Sequence, residues 1–271
     1  FQEIGTFSRS LREEDRETTP GDGKIGGEGE IDGRPVAIAG DDITVKRGSS
    51  SIVGSRKTSR LYERALKMGF PYVYFGETGG GRIPDLIGAE GISDAMPSPD
   101  IARRRRLIPM ASVIVGQSFG GSSFHSAFSD FTVQVRGSVL AVTSPRVFEI
   151  ATGEIVSFEE LGGVDVHAKT TGQIDLGVDS YEDAYKAVKQ WLSYLPSNAW
   201  TSPPRGVPMT KSRWEPDHEL TDFIPDKRRR GYDMRKFCKL LLDPDSFFEL
   251  QPKFAKSLVT GLGRLDGWSV G

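Results

Sequence analysis

The residues best suited to chemistry lie between Leu107 and Asp130. Leu107, Ile108, Met110, Ala111, Val113, Ile114 and Val115 read as a buried strand that ends at Gly116. The chain then turns through Gly116, Gly120 and Gly121. From Ser122 to Asp130, Phe124 and Phe128 stand four apart on one helical face. In a strand, glycine turn and helix of this kind, the first helical N–H groups have no intrahelical partner and point outward with the positive end of the dipole. They suit an oxygen that is gaining negative charge. Gly120 and Gly121 have no Cβ to hold a substrate carbonyl away, so their amides are candidate oxyanion-hole donors. Two other readings fit the same spacing. The glycines serve only to let helix and strand pack closely, or Gly116-Gln117-Ser118-Phe119-Gly120 is a G-x-S-x-G elbow with Ser118 as nucleophile. Spacing alone leaves all three open.

A second glycine exit precedes this one. Phe70–Phe75 reads as a short aromatic strand, followed by Gly76-Glu77-Thr78-Gly79-Gly80-Gly81-Arg82. No Lys-Ser or Lys-Thr stands where a phosphate-cradling loop needs it, which excludes that motif. Two glycine exits from adjacent strands can meet and supply one N–H each, so Gly79, Gly80 and Gly81 join the candidates, with Arg82 as the residue that pins their turn.

The flanking chain must position these turns. Residues 11–29 are charged and glycine-rich and read as an exposed loop. Ile31, the Asp32-Gly33 turn and Val36–Ala39 read as a β-hairpin. A helix is expected from Ser55 to Met68 with Gly69 as its stop. Phe131–Val135 and Ser138–Val142 are expected strands, Ser144-Pro145 a helix start with Pro at its first position, and Glu159–Thr171 a loop. Tyr181–Leu195 reads as a helix capped by Ser180, with Ala184, Val188, Trp191, Leu192 and Leu195 on one face. Strands alternating with helices give an α/β class. Pro196 to Pro225, with six prolines, reads as an extended linker.

Composition narrows the function. The 271 residues carry 35 basic and 37 acidic side chains, a formal charge of −2, which gives no general case for nucleic-acid binding. Basic clusters at Arg103–Arg106 and Lys227–Arg230 are solvated faces or landing sites for an anionic ligand. One cysteine, Cys238, permits no intrachain disulfide and no thiolate zinc site, and no histidine or carboxylate has metal-ligand spacing. No apolar run approaches the ~18 residues that span a bilayer, so a soluble protein of a reducing compartment is expected.

The chain also repeats itself. Gly261-Leu262-Gly263-Arg264-Leu265-Asp266-Gly267-Trp268-Ser269-Val270 echoes Gly27-Glu28-Gly29-Glu30-Ile31-Asp32-Gly33-Arg34-Pro35-Val36, and Phe248-Glu249-Leu250 echoes Gln2-Glu3-Ile4. An internal duplication follows. One complete unit (1–200), a proline-rich linker (201–225) and the beginning of a second unit (226–271) are expected, and the sequence reads as part of a longer protein.

GKIGGEGEIDGRPVAI, GSSSIVGSRKTSRLYERAL, GETGGGRI, GQSFGGSSFHSAFSDFTVQV, GEIVSFEELGGVDVHAKTTG, WLSYLPSN and DPDSFFELQPKFAKSLVTGLGRLDGWSVG, in this order, resemble the carboxyltransferase β subunit of biotin-dependent acyl-CoA carboxylases of the propionyl-CoA and methylcrotonyl-CoA type. The resemblance implies a crotonase-like ββα spiral domain followed by the start of a duplicated one. It also implies transfer of CO2 from carboxybiotin to the α-carbon of an acyl-CoA. Amides at Gly120 and Gly121 would hold the thioester enolate, while paired amides that hold the biotin urea lie beyond Gly271. Biotin would arrive on a partner, a biotin carboxylase or carboxyl carrier subunit, and the chain would assemble into a dimer-built hexamer. The compartment implied is the cytoplasm, or the mitochondrial matrix in a eukaryote. Phe119 and Ser122 would flank the substrate, and Arg56 and Lys57 could meet CoA phosphates. His125 and His167 read as packing and hydrogen-bonding residues. Gln117, Ser118, Phe119 and Ser122 depart from the family's usual G-P-C-A-G-G-A, and these changes bear on the acyl group accepted. A decarboxylase subunit of the same family, a hydrolase or acyltransferase using Ser118, and a catalytically silent scaffold are the alternatives.

Overall fold

A computed structural model describes residues 1–88, 91, 93, 106–207, 218–227 and 229–271. The hairpin forms as expected. Strands β2 (Lys24–Ile31) and β3 (Arg34–Asp41) pair antiparallel across a turn in which Asp32 and Gly33 both have positive φ (51° and 76°). That geometry matches the twist of the flanking strands. β1 (Gln2–Glu3) adds to the outer edge. From β3 the sheet becomes parallel through β4 (Tyr72–Thr78), β5 (Met110–Phe119), β6 (Phe131–Val135) and β8 (Leu176–Val178).

Burial on both faces follows from the parallel arrangement. Tyr72 and Tyr74 of β4 pack with Leu61, Tyr62 and Ala65 of helix α1 (Ile52–Met68). Val73 of β4 points the other way, into a cluster with Val113, Phe131, Val188, Trp191 and Leu192. α1 is capped by Ser51 and stopped by Gly69 (φ 71°). The helix that covers the second face, Tyr181–Tyr194, is capped by Ser180, which accepts from the Asp183 amide (3.1 Å).

β5 departs from expectation in the way that matters most. It does not stop at Gly116 but continues to Phe119, because β7 (Val139–Ala141) pairs with Gln117–Phe119 while β6 pairs with Ala111–Ile114. The chain leaves the sheet after β6 and returns along the upper half of the same strand, which is a spiral turn. At Gly116 the Glu77 side chain occupies the space a Cβ would take. Helix α2 then runs Gly121–Phe128 and helix α3 Pro145–Thr152.

Three expectations fail. Within 11–29, two 3-10 turns (Glu13–Thr18 and Pro20–Gly23) lead into β2, with Thr19, Asp22 and Lys24 buried; paired charges, not exposure, explain the polar composition. Glu159–Thr171 is helical: α4 (Phe158–Gly162) starts in a Ser157–Glu160 capping box, and a π-helical turn covers His167–Thr171. Gly162 is required by the close approach of β7, since an added Cβ would overlap the Leu140 carbonyl. In the expected linker, His218–Phe223 is helical, while 208–217 lie outside the described residues.

The repeat is visible in the backbone. β9 (Phe248–Leu250), β10 (Thr260–Leu265) and β11 (Trp268–Val270) form a second antiparallel sheet. Its turn residues Asp266 and Gly267 have φ of 49° and 78°, as Asp32 and Gly33 do. Phe248 faces Leu262 and Glu249 faces Gly261, the register in which Gln2 faces Glu28 and Glu3 faces Gly27. Phe248 itself packs on Phe131 and Tyr194.

Gly162→Ala is expected to lower unfolding stability by about 1–3 kcal/mol through overpacking against β7, read as a fall in the urea midpoint at constant slope.

Candidate active site

The two glycine turns stand side by side at the carboxyl ends of β4 and β5. A Cβ on Gly120 would lie 3.8 Å from the Gly80 Cα, and one on Gly80 would lie 4.0 Å from the Phe119 Cβ. Both residues have positive φ, 105° at Gly80 and 63° at Gly120. Such conformations are open to glycine at little cost.

Most amides in these turns are already engaged. Gly79 N–H donates to the Arg47 carbonyl (2.9 Å), Gly80 N–H to Thr78 Oγ1 (3.1 Å) and Gly120 N–H to the Val142 carbonyl (3.1 Å). The Gly81 and Gly121 N–H groups find no acceptor among the described residues. Gly121 is the first residue of α2, where an unsatisfied N–H is the rule. The Gly120 N–H is therefore tied to Val142, the residue that follows β7, and its residue shapes the turn that presents Gly121.

Arg82 fixes the first turn. It is 7% exposed, and its guanidinium donates to Asp22 Oδ1 (2.6 Å), Asp85 Oδ2 (3.4 Å), the Ser49 hydroxyl (3.2 Å) and the Ser49 carbonyl (3.2 Å). Asp22 also accepts from the Gly54 amide (2.7 Å) and the Ser51 hydroxyl, which ties the start of α1 to the same hub. Ser50 completes the clamp: its N–H donates to the Gly80 carbonyl (2.8 Å), and its carbonyl accepts from the Arg82 N–H (2.7 Å).

Beneath the second turn lies a buried polar chain. Lys24 pairs with Asp41, which accepts from the Tyr74 hydroxyl (2.7 Å) and the Glu77 amide (3.1 Å). Burial, reinforced by Asp41, raises the Tyr74 phenol well above its ordinary range. The same two causes raise the Glu77 carboxyl. His125 stacks on Tyr74 (ring centroids 4.4 Å), and burial lowers its imidazole to about 4. Ser118, fully buried, shares a hydrogen bond with Ser122.

These contacts show where the candidate residues lie. Ser118 lies within a strand, not on an exposed elbow, and its hydroxyl meets Ser122 rather than an imidazole or a carboxylate, so the nucleophile reading fails. Ser122 is 1% exposed and turned into the same buried pair, away from a substrate. Lys57 is buried, with its ammonium on the Lys24 carbonyl (2.6 Å) and Glu3 (3.3 Å), so it is not free to meet a phosphate. Arg56 is exposed on α1 and does not line the cleft described below. His167 is structural: Nε2 meets the Leu140 carbonyl (2.7 Å) and Nδ1 the Thr171 hydroxyl (2.9 Å). Arg103–Arg105 and Arg228 lie outside the described residues.

A cleft of about 710 Å³ fronts the turns, lined by Gly79 and Phe119 with Arg47, Gln117, Arg146 and Phe158. Arg47 donates to Gln117 Oε1 (2.8 Å). Neither arginine is marked by local sequence periodicity; only the fold brings residues 47, 117 and 146 together.

The carboxyl transferase domain family matches residues 1–271. The chain belongs to that family. A propionyl-CoA carboxylase carboxyltransferase subunit from Haloferax mediterranei is 38% identical over 257 residues, which is 93% of this chain and 49% of that protein. The methylmalonyl-CoA carboxyltransferase 12S subunit of Propionibacterium freudenreichii subsp. shermanii is 32% identical over 100% of this chain and 52% of its own length. The crystal structure of a transcarboxylase 12S hexamer with hydrolysed methylmalonyl-CoA bound superposes with a TM-score of 0.92 at 31% identity, over 100% of this chain and 54% of that one. The α/β fold with its mostly parallel sheet is crotonase-like. The chain spans about half the length of the curated relatives it matches. No helix among the described residues is long and apolar enough to cross a membrane.

Two outcomes follow. Arg82→Met strands Asp22 and Asp85 and is expected to cost about 3–5 kcal/mol in chemical denaturation. His125 binds its proton less readily folded (about 4) than unfolded (6.5), so its contribution to stability is complete above pH 6.5 and is lost as pH falls towards 4. His125→Phe is expected to flatten the pH dependence of the unfolding midpoint in that window.

Proposed function

We propose that this chain is the N-terminal part of a carboxyltransferase component of a biotin-dependent acyl-CoA carboxylase, moving CO2 from carboxybiotin to the α-carbon of an acyl-CoA. The observation that carries the reading is the contact between the two glycine turns, with the Gly81 and Gly121 N–H groups left without acceptors beside an open cleft. Family membership and the coenzyme A ligand of the transcarboxylase neighbour support it.

The chemistry asked of the protein is electrostatic. Removing a proton α to a thioester places negative charge on the carbonyl oxygen, and amides aimed at that oxygen strengthen their hydrogen bonds as the charge grows. Gly121 supplies one donor, reinforced by the positive end of α2, and Gly81 the other. Gly120 and Gly80 let the carbonyl approach the backbone, a cradle that a Cβ on either would begin to fill. Phe119 bounds the site on the cleft side and Gly79 forms part of its floor. Carboxybiotin, carried on a partner subunit, supplies CO2 and the nitrogen that takes the α-proton when bound. This leaves no task for a protein nucleophile, in agreement with the buried Ser118. By the same reading the partner is a biotin carboxylase or carboxyl carrier, and the chain assembles into a hexamer like the transcarboxylase neighbour.

Full-length protein incubated with malonyl-CoA or methylmalonyl-CoA is expected to form decarboxylated acyl-CoA only when free biotin is added, without release of CoA thiol. Gly121→Pro, which removes the N–H at a first helical position that tolerates proline, is expected to reduce that rate by about 10²–10³-fold, the cost of one oxyanion donor. Thiol release without biotin overturns the proposal.

A further inference from the structure

The cleft in front of the glycine turns is not the only space beside them. Against α2 lies an apolar pocket of about 400 Å³, walled by Phe124, Ala127, Leu140, Val142, Phe148 and Leu161. It starts within three residues of Gly121, and the Val142 carbonyl at its wall accepts the Gly120 N–H (3.1 Å). The two spaces are lined by residues on either side of the turn in sequence, Phe119 of the first and Ser123 of the second, and differ in character. Arg47, Arg146, Gln117 and Glu149 line the first. The second has no charged side chain: His167, its one titratable group, is held below its ordinary pKa by burial, with both ring nitrogens engaged.

A thioester carbonyl is planar, and its sulfur and α-carbon leave the carbonyl carbon about 120° apart. With the oxygen on the Gly121 amide, the two substituents therefore diverge from the turn in different directions. The phosphate-bearing coenzyme A matches the arginine-lined cleft. The acyl chain matches the apolar pocket. We infer that this pocket binds the alkyl tail of the acyl-CoA, with Ala127 and Phe148 as specificity-determining residues. The inference rests on the carboxyltransferase reading and goes beyond it by naming the substrate class: acyl-CoAs with unbranched tails of several methylenes. The pocket holds roughly a dozen times the ~30 Å³ share of one liquid water, more than an acetyl or propionyl group fills.

The test is calorimetric binding of acetyl-, butyryl-, hexanoyl- and octanoyl-CoA to the full-length protein, with free CoA as reference. Affinity is expected to rise with chain length by up to about fourfold per methylene, the equivalent of burying one CH2. Ala127→Trp, a change at an exposed position of α2, fills the pocket and is expected to flatten that rise. Phe148→Ala enlarges it and should move the steepest gain to longer chains, which keeps the test alive if the first variant does not fold. Equal affinity for all four thioesters overturns the inference while leaving the carboxyltransferase reading intact. The same holds if the rise is unchanged in both variants. Failure of every thioester and of CoA to bind overturns both.

Discussion

The structure depends on keeping two glycine turns in contact at the ends of neighbouring parallel strands. Gly80 and Gly120 stand side by side because β4 and β5 pair in parallel and, past an irregularity between Gly76 and Thr78, still bring Thr78 opposite Ser118 just before the two turns. Gly80 and Gly120 both hold positive φ (105° and 63°), which a side chain at either position would strain. Every other element can be understood as holding this contact. β7 pairs with the last three residues of β5, Val142 just after it ties down the Gly120 amide, and Ser50 and Arg82 hold Gly80 from the opposite side.

The means of holding it are polar and buried. Asp22, Arg82 and Asp85 form one hub, and Lys24, Asp41 and Tyr74 another, almost wholly withdrawn from water. Buried pairs of this kind contribute little net stability compared with an apolar core, but they are directional. A hydrophobic cluster tolerates small sliding movements, whereas Arg82 with four acceptors does not. That distinction suits a site whose working groups are backbone amides, which can be aimed only by fixing the backbone itself.

Much of this was legible in the sequence. The Asp32-Gly33 and Asp266-Gly267 hairpins, the capped helices and the duplication follow from turn chemistry and periodicity, and the matched strand registers agree with them. Alternation of strands and helices gave the α/β class, and the crotonase-like form of it came from the resemblance those motifs carry. What was not legible came from pairing between distant segments. Gly116 resembles a strand terminus until β7, more than twenty residues later, is found beside Gln117–Phe119. Ser118 and Ser122 have the types of active-site residues, and only their mutual hydrogen bond, between the end of β5 and the first turn of α2, shows that both are buried. Lys57 resembles a phosphate ligand until Glu3, far away in sequence, is found beside it. Arg47, Arg146 and the apolar pocket against α2 carry no local signal at all.

The central claim is that backbone amides at the glycine turns polarise a thioester carbonyl. Isotope-edited infrared spectroscopy of an acyl-CoA labelled with ¹³C at its carbonyl, bound to the full-length protein, tests this most directly. The account predicts a carbonyl stretch shifted to lower frequency on binding, and a smaller shift in Gly121→Pro, which lacks the donor N–H. A bound thioester whose carbonyl frequency matches that in water, or a shift unaltered in Gly121→Pro, would contradict it.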